Sequence, residues 1–274
     1  MVIAIVFSFT GCKEEKEASK KPVSNVSSAM TYSEYMEQIE KEKQEKKDKI
    51  MNAEWRNHPE DFKLIALTFD DAPSYSTPSN NNTVAIIDAI NKYEGAGTFF
   101  VQGTALEKNG TSLLYYALEC GFELGNHTYS HPYLTKLSKK EITEEIISLN
   151  KVVEEKLGVT MKYIRPGYLD IDDKGFEVSR ELKMPIIHCS KTISTKDYDS
   201  LSTDESVKST ILNNAYDGAI VLCHGWANPT GACIEEVCKS LYERGYRFVT
   251  LSELFEYKGI KNVPLGEIIC DANF

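Results

Sequence analysis

The stretch Leu64-Ile-Ala-Leu-Thr-Phe-Asp-Asp-Ala-Pro73 decides the fold of this chain. Its apolar run has the length of a buried strand, and it ends in two adjacent carboxylates, Asp70 and Asp71, before Ala72-Pro73 stops it. Like charges side by side at a buried strand end disfavour their own ionisation unless a cation lies close to them. The stretch therefore predicts that the rest of the chain supplies positive or metal-binding partners for this pair.

Apolar, strand-like runs alternate with helical patterns from residue 62 to residue 257. The strand candidates are residues 63–69, 97–102, 122–125, 162–164, 185–189, 219–223 and 247–250. Helical periodicity covers residues 82–93, 142–157 and 233–243, with Ser138 and Glu141 as a capping box before the second. Buried strands separated by helices predict a parallel sheet covered on both faces, an α/β fold that is open or closed into a barrel. Catalytic groups in such folds lie at the carboxyl ends of the strands.

The N-terminus predicts export from the cell. Residues 1–11 are apolar or small and end at Cys12, directly before the charged Lys13-Glu-Glu-Lys16. Because a membrane-spanning helix needs ~20 apolar residues, this segment is typical of a signal peptide instead. Phe9-Thr-Gly-Cys12 resembles a bacterial lipoprotein box with a lipidated Cys12. We expect a membrane lipid anchor on the extracellular face of a bacterial membrane, or secretion.

Between this segment and the domain lies a connecting region, residues 13–61. Residues 13–28 are rich in Lys, Glu, Ser and Pro and predict a disordered tether. Mixed-sign charge after Thr31-x-x-Glu34 then predicts a solvated helical spacer, with a partner-binding helix as the alternative. We place the domain at residues 62–257 and a C-terminal tail at 258–274.

Charge and cysteine spacing exclude two classes of function. The net charge of −10 argues against a nucleic-acid partner, because phosphate binding needs a basic surface. The cysteines other than Cys12 show no Cys-x-x-Cys pair and no zinc-finger spacing, which argues against a cysteine metal site. Their redox state is left open, and we expect a monomer.

Three further polar clusters follow predicted strands. His127 and His131 are four residues apart, a spacing that lets two imidazoles bind one metal ion, although two helix-surface histidines are the plain alternative. Arg165 could hold a strand-end carboxylate ionised, or form an ordinary structural ion pair. His224 could supply a proton near neutral pH, or be a core histidine. Together with Asp70 and Asp71, these clusters predict one catalytic site.

The clusters resemble the motifs of a known family. Thr68-Phe-Asp-Asp-Ala-Pro73, His127-Thr-Tyr-Ser-His131, Arg165-Pro-Gly-Tyr168, Asp197-Tyr198 and Leu222-Cys-His224 occur in the order of the five motifs of polysaccharide deacetylases. This is the NodB-homology group, carbohydrate esterase family 4. The resemblance covers about residues 62–257 and implies a distorted (β/α) barrel, similar to a TIM barrel. Ala72, Gly167, Leu169 and Tyr198 depart from the residues that are usual at their positions.

The resemblance also implies roles for single residues. Asp71, His127 and His131 would bind a divalent metal, with zinc expected and cobalt or nickel possible. Asp70 would be the general base, fixed by Arg165, and His224 the general acid, oriented by Asp197. The substrate would contact the Tyr168 backbone N–H and the apolar wall of Leu222, and Tyr198 would narrow one wall of the pocket. Apart from the resemblance, Trp226, two residues past His224, could stack on a sugar ring, with burial against the core as the alternative.

The implied activity is removal of N-acetyl groups from GlcNAc residues of a polysaccharide. Gly125–Leu134 is similar to the peptidoglycan-directed branch, so we expect peptidoglycan as the acetylated substrate. Chitin or poly-GlcNAc oligomers and acetylated xylan are the alternatives that the same residues could serve. A non-catalytic sugar-binding protein is a further alternative, which the presence of the complete residue set disfavours.

Overall fold

The computed structural model describes residues 32–74 and 82–274. The predicted signal segment, Cys12 and the segment predicted to be a tether, residues 13–28, lie outside these residues. The chain divides into two compact units, Met1–Ile39 and Glu40–Phe274. Of the first unit only residues 32–39 are described, as the start of helix α1 (Tyr32–Met51). Within the described ranges, no helix combines the length and the apolar character that crossing a bilayer requires.

Helices and strands alternate along most of the second unit. The strands are β1 (Lys63–Ala72), β2 (Thr98–Val101), β3 (Glu123–Asn126), β4 (Ile186–Ile187), β5 (Ala219–His224), β6 (Tyr246–Phe248) and β7 (Ile268–Ile269). The helices are α2 (Asn82–Asn91), α3 (Gly103–Asn109), α4 (Ser112–Glu119), α5 (Lys139–Leu157), α6 (Asp173–Leu182), α7 (Asp204–Asn214), α8 (Asn228–Glu243) and α9 (Leu251–Tyr257).

Strand β1 is the centre of the sheet, as its unbroken apolar run predicts. It pairs in parallel with β2, β5 and β6, and the strand order across the main path is β3-β2-β1-β5. Side chains from Leu64 to Phe69 are almost completely buried. Those of Ile65, Leu67 and Phe69 belong to a cluster that includes residues of α2 and α8, whereas Leu64 and Ala66 belong to a second cluster that includes residues of β2, β4 and β5. Parallel pairing brings the carboxyl ends of β1, β2, β3 and β5 to one edge of the sheet, where the predicted site residues follow them.

The barrel closes through irregular segments between β3 and β5. Ile164 forms single bridges to Asn126 on one side and Ile186 on the other. Ser190 N–H donates to the Ile220 carbonyl (2.9 Å), and Ser194 bridges Leu222. The α/β distorted barrel is therefore confirmed. The predicted strand at residues 162–164 is wrong as a regular strand, because Ile164 contributes one bridge on each side and no continuous ladder.

Three of the helices are those that the sequence predicts. α2, α5 and α8 are confirmed, and α5 has the predicted capping box of Ser138 and Glu141, with Gly158 in the left-handed conformation at its end. The sequence prediction omits α3, α4, α6, α7 and α9. Each of these has 11 or fewer residues.

Both ends of the second unit pack against the barrel. Lys46, in the second half of α1, donates to Asp88 of α2 and to the Tyr116 hydroxyl of α4, each at 2.8 Å, and Ile50 is buried. The C-terminal end of the predicted helical spacer thus contacts the domain. In the tail, β7 pairs with β4 in parallel. The cysteines of the described part, Cys120, Cys189, Cys223, Cys233, Cys238 and Cys270, are all free thiols.

Candidate active site

Asp70 lies buried at the end of β1 in an ion pair with Arg165. Arg165 Nη1 donates to Asp70 Oδ1 at 2.8 Å and to Thr68 Oγ1 at 2.7 Å. Burial alone would raise the pKa of Asp70, but the charges of Arg165, His127 and His224 outweigh it and hold that pKa below its ordinary value. Asp70 is therefore an ionised carboxylate, as a general base must be.

Arg165 is itself held from four sides. Its side chain has no exposed surface; Nε donates to the Ile187 carbonyl (3.1 Å) and Nη2 to the His188 carbonyl (2.7 Å). The guanidinium lies 4.1 Å from the centre of the Phe100 ring. These contacts fix one orientation of the guanidinium toward Asp70. His188 contributes through its backbone carbonyl, which leaves no signal in the sequence.

Asp71 turns away from Asp70 toward two histidines. Its backbone is in the left-handed region (φ 61°), and Oδ1 lies 3.8 Å from His127 Nε2 and 3.7 Å from His131 Nε2. Its other oxygen, Oδ2, accepts a hydrogen bond from Trp226 Nε1 at 3.0 Å. The two adjacent carboxylates thus have different partners.

The tautomer of His127 suits a metal ligand. Its Nδ1 lies 2.7 Å from the Arg165 carbonyl oxygen, which can only accept, so Nδ1 carries the proton and Nε2 keeps its lone pair. His131 Nε2 lies 3.2 Å from that atom. Burial, together with His127, lowers the pKa of His131, which favours its neutral form. His131 Nε2 can donate a hydrogen bond to the lone pair on His127 Nε2, or present a lone pair of its own when a cation lies between the two rings.

Three ligand atoms form a triangle that fits a metal ion. The atoms of Asp71, His127 and His131 all lie within 4.8 Å of one another, with sides of 3.2, 3.7 and 3.8 Å. Ligands of a tetrahedral zinc ion lie roughly 3.3 Å apart, given bonds of ~2.0–2.1 Å. The triangle leaves one side open to the pocket. The donor set and its spacing therefore fit a divalent metal.

On the neighbouring strand, His224 faces the pocket with Asp197 behind it. His224 Nδ1 donates to Asp197 Oδ1 at 2.7 Å, and His224 pairs in register with Asp70 across β1 and β5. Burial alone would lower the pKa of His224, but the hydrogen bond to Asp197 and the charges of Asp70, Asp197 and Asp71 raise it above its ordinary value. The acid form thus persists to higher pH. Asp197 also accepts from the His224 N–H and the Thr230 hydroxyl.

The pocket brings most of the predicted residues together. It has a volume of about 500 Å³ and is lined by Asp70, Asp71, His127, His131, Tyr168, Tyr198, Leu222, His224 and Trp226. Arg165 and Asp197 lie behind this lining, where they support Asp70 and His224. Gln102, Leu169 and Ser194 also line the pocket. Gln102 follows β2 as a polar residue after an apolar strand, so the rule that identified the other clusters could have found it.

Left-handed backbone at non-glycine residues is concentrated around the pocket. Asp71, Thr128, His131, Tyr168 and Leu169 have φ between 55° and 66°. Such conformations are unfavourable for most side chains and persist where surrounding contacts fix them. Tyr168 is held by a stack on Tyr133, with ring centres 4.1 Å apart.

Two of the departures from the family pattern now have a structural context. A Cβ atom on Gly167 would lie 3.0 Å from the His131 ring, so glycine leaves that ring its position. Ala72 is buried at the end of β1, and its peptide bond to Pro73 is cis.

A distorted parallel barrel with an Asp-His-His triangle beside an Asp-Arg pair and a His-Asp pair defines a class of metal-assisted hydrolase sites. The family model for polysaccharide deacetylases matches residues 57–187. A peptidoglycan-N-acetylglucosamine deacetylase of Bacillus cereus is 31% identical over 203 residues, which cover 73% of this chain and 92% of that protein. The chain belongs to the polysaccharide deacetylase family, carbohydrate esterase family 4.

Other relatives differ in their named substrates. The peptidoglycan-N-acetylglucosamine deacetylase PgdA of Listeria monocytogenes is 35% identical over 196 residues, which cover 72% of this chain and 40% of that protein. The solved Xyl-CE4 domain of a multidomain xylanase from the Trinervitermes trinervoides hindgut metagenome has a TM-score of 0.70 and 29% identity. That match covers 77% of this chain and 98% of the domain. The chain spans 31% to 40% of the length of three curated relatives.

The triangle predicts which substitutions abolish metal binding. We expect the protein to retain about one zinc ion per chain after loading and dialysis, and Asp71→Ala or His131→Ala to retain far less. His58→Ala is the matched control, because His58 is an exposed histidine away from the pocket. Metal content measured by mass spectrometry checks this. Equal zinc in all four proteins would contradict the assignment of the ligands.

Proposed function

We propose that the protein is a metal-dependent hydrolase that removes N-acetyl groups from the GlcNAc residues of peptidoglycan. The observation that carries this proposal is the separation of the two carboxylates. Asp70 is paired with Arg165 and lies beside His224, whereas Asp71 faces two imidazole nitrogens. This arrangement provides a base, an acid and a metal site at one strand edge. The deacetylase names of the relatives support it.

The ligand chemistry supports zinc as the metal. Two imidazoles and one carboxylate suit Zn²⁺, and such sites also accept Co²⁺ or Ni²⁺. A divalent cation held by Asp71, His127 and His131 would act as a Lewis acid that polarises the acetyl carbonyl group and lowers the pKa of water. All other steps fall to the side chains and backbone of the protein.

Asp70 and His224 divide the proton transfers between them. Asp70 Oδ1 is bonded to Arg165, so Oδ2, which lies 3.8 Å from His127 Nε2, would take the proton of the attacking water. His224 has its Nδ1 bound to Asp197, so its Nε2 would give a proton to the departing amine. One water molecule and one amide thus yield one acetate and one amine.

The remaining pocket residues would position the acetylated sugar. The Tyr168 backbone N–H would stabilise the oxyanion of the tetrahedral intermediate. Leu222, almost fully buried in the pocket wall, would pack against the acetyl methyl group. The rings of Tyr198 and Trp226 are partly exposed at the rim and would contact sugar rings.

The choice of peptidoglycan rests on sequence and on the relatives. Gly125–Leu134 is similar to the peptidoglycan-directed branch, and two of the relatives above are named for peptidoglycan. A lipid anchor at Cys12 would hold the enzyme on the extracellular face of the membrane, beside this polymer. Both the anchor and a monomeric state are part of the proposal.

Acetate release tests this function. We expect release from purified peptidoglycan, loss of activity with a chelator, and recovery on addition of Zn²⁺. Chitopentaose and acetylxylan are assayed in parallel with the same preparation. Release from chitopentaose or acetylxylan but not from peptidoglycan would contradict peptidoglycan as the substrate and would still agree with a deacetylase. No release from any of the three, with metal bound, would favour a sugar-binding protein without turnover.

Substitution of the base or the acid should remove activity and leave the fold intact. A general base or acid typically contributes ~10²–10⁴ in rate, so we expect Asp70→Asn and His224→Ala each to lose about that factor in acetate release. His224→Ala should also keep its metal, because His224 lies outside the ligand triangle. Circular dichroism monitors the fold, and His58→Ala is the control. Either variant retaining wild-type activity would overturn its assigned role.

The pH dependence of kcat/KM should reflect the Asp197–His224 hydrogen bond. Since this bond raises the pKa of His224, the imidazolium persists to higher pH, and the rate falls as pH rises through that pKa. Asp197→Asn removes the charge, so we expect the basic limb to move to lower pH. Asp199→Asn, two residues along on the exposed loop, should leave that limb in place. An unmoved limb in Asp197→Asn would contradict His224 as the acid.

A further inference from the structure

Trp226 makes a contact that its predicted role at the sugar rim does not require. Its indole Nε1–H donates to Asp71 Oδ2 at 3.0 Å. Asp71 Oδ1 meanwhile faces the Nε2 atoms of His127 and His131 at 3.8 and 3.7 Å. Each oxygen of this carboxylate therefore has its own partner: Oδ1 faces the metal site, and Oδ2 is bound by the indole.

We propose that Trp226 is a positioning residue that holds Asp71 as a metal ligand through one oxygen. A carboxylate with a free second oxygen can rotate, or bind a cation through both oxygens. A hydrogen bond to Oδ2 restricts both movements and presents Oδ1 to the imidazole pair. Groups that bind metal ligands in this way commonly change metal affinity by ~10–100-fold when they are removed.

The loop that carries Trp226 is well fixed. It directly follows β5, and the buried Asn82 at the start of α2 donates to the Trp226 carbonyl (3.1 Å) and to Asn228 Oδ1 (3.0 Å). The Ala227 N–H donates to the His224 carbonyl at 3.2 Å. His224 ends β5, and the indole donor follows it two residues later on this loop. A rigid donor restricts a ligand at lower entropic cost than a mobile side chain does.

A ring contact with sugar and a hydrogen bond to Asp71 have different consequences on substitution. Trp226→Phe keeps an aromatic ring at the rim and removes the N–H donor. If Trp226 only contacts sugar, this change alters KM and leaves metal affinity unchanged. If Trp226 positions Asp71, the change weakens metal binding even when no substrate is present.

The sequence offers a matched control. The chain has two tryptophans, Trp55 and Trp226. Trp55 is buried in a cluster with Leu64, Val249 and Phe255, and its indole donates to the Glu94 carbonyl at 3.3 Å. Trp55→Phe therefore removes an indole N–H from the same protein without touching the pocket.

Zinc affinity is the decisive measurement, obtained by competition of the metal-free protein with a chromophoric chelator. We expect Trp226→Phe to raise the Kd for Zn²⁺ by ~10–100-fold and Trp55→Phe to leave it unchanged. A Kd in Trp226→Phe equal to that of the wild type would overturn the proposal.

A second measurement leaves Trp226 in place, so it does not depend on how the variant folds. In Trp55→Phe, Trp226 is the remaining tryptophan, and we expect its fluorescence to change on zinc titration with the Kd found by competition. An emission that stays constant through saturation would count against the contact with Asp71. The role of Trp226 rests on the proposed metal-dependent function, and the failure of one gives a different result from the failure of the other. A wild-type protein that binds no zinc contradicts both, whereas equal affinities contradict the inference alone.

Discussion

The buried ion pair of Arg165 and Asp70 is the interaction on which the rest of the site depends. Removing one partner from such a pair leaves an uncompensated charge and typically costs ~3–5 kcal/mol. Arg165 joins β1 to the residues that follow β4 through Asp70, Thr68 and the His188 carbonyl. Its own carbonyl accepts from His127 Nδ1. One residue thereby keeps Asp70 ionised and fixes the tautomer of His127.

The same constraint explains how two adjacent carboxylates coexist at the end of β1. Successive strand side chains point to opposite faces, and the left-handed backbone at Asp71 increases the divergence. Asp70 obtains its compensating charge from Arg165, whereas Asp71 is placed to obtain its own from a bound cation. Left-handed residues at His131 and Tyr168 continue this pattern in the neighbouring loops. Unfavourable backbone conformations therefore occur where they orient polar groups into the pocket.

The sequence predicts those features that depend on apolar strand runs, on polar residues at strand ends and on the spacing of motifs. The apolar run of β1, the histidine pair and the polar ends of β3 and β5 located the pocket, and the resemblance supplied Asp197, which no local pattern marks. The sequence does not predict the short helix α6 or the single bridges of Ile164, because these features form through tertiary contacts and have no long periodic pattern. The bond from Trp226 to Asp71 joins residues 155 positions apart, so only the folded chain reveals it.

The central claim is that Asp71 is the metal ligand and Asp70 the base. Anomalous diffraction at the zinc absorption edge, from crystals of the zinc-loaded protein, tests it most directly. We expect one anomalous peak about 2.0–2.2 Å from Asp71 Oδ1 and from the Nε2 atoms of His127 and His131. Asp70 should remain in its hydrogen-bonded ion pair with Arg165. A peak coordinated by Asp70 instead of Asp71, or bridged by both carboxylates, would contradict it.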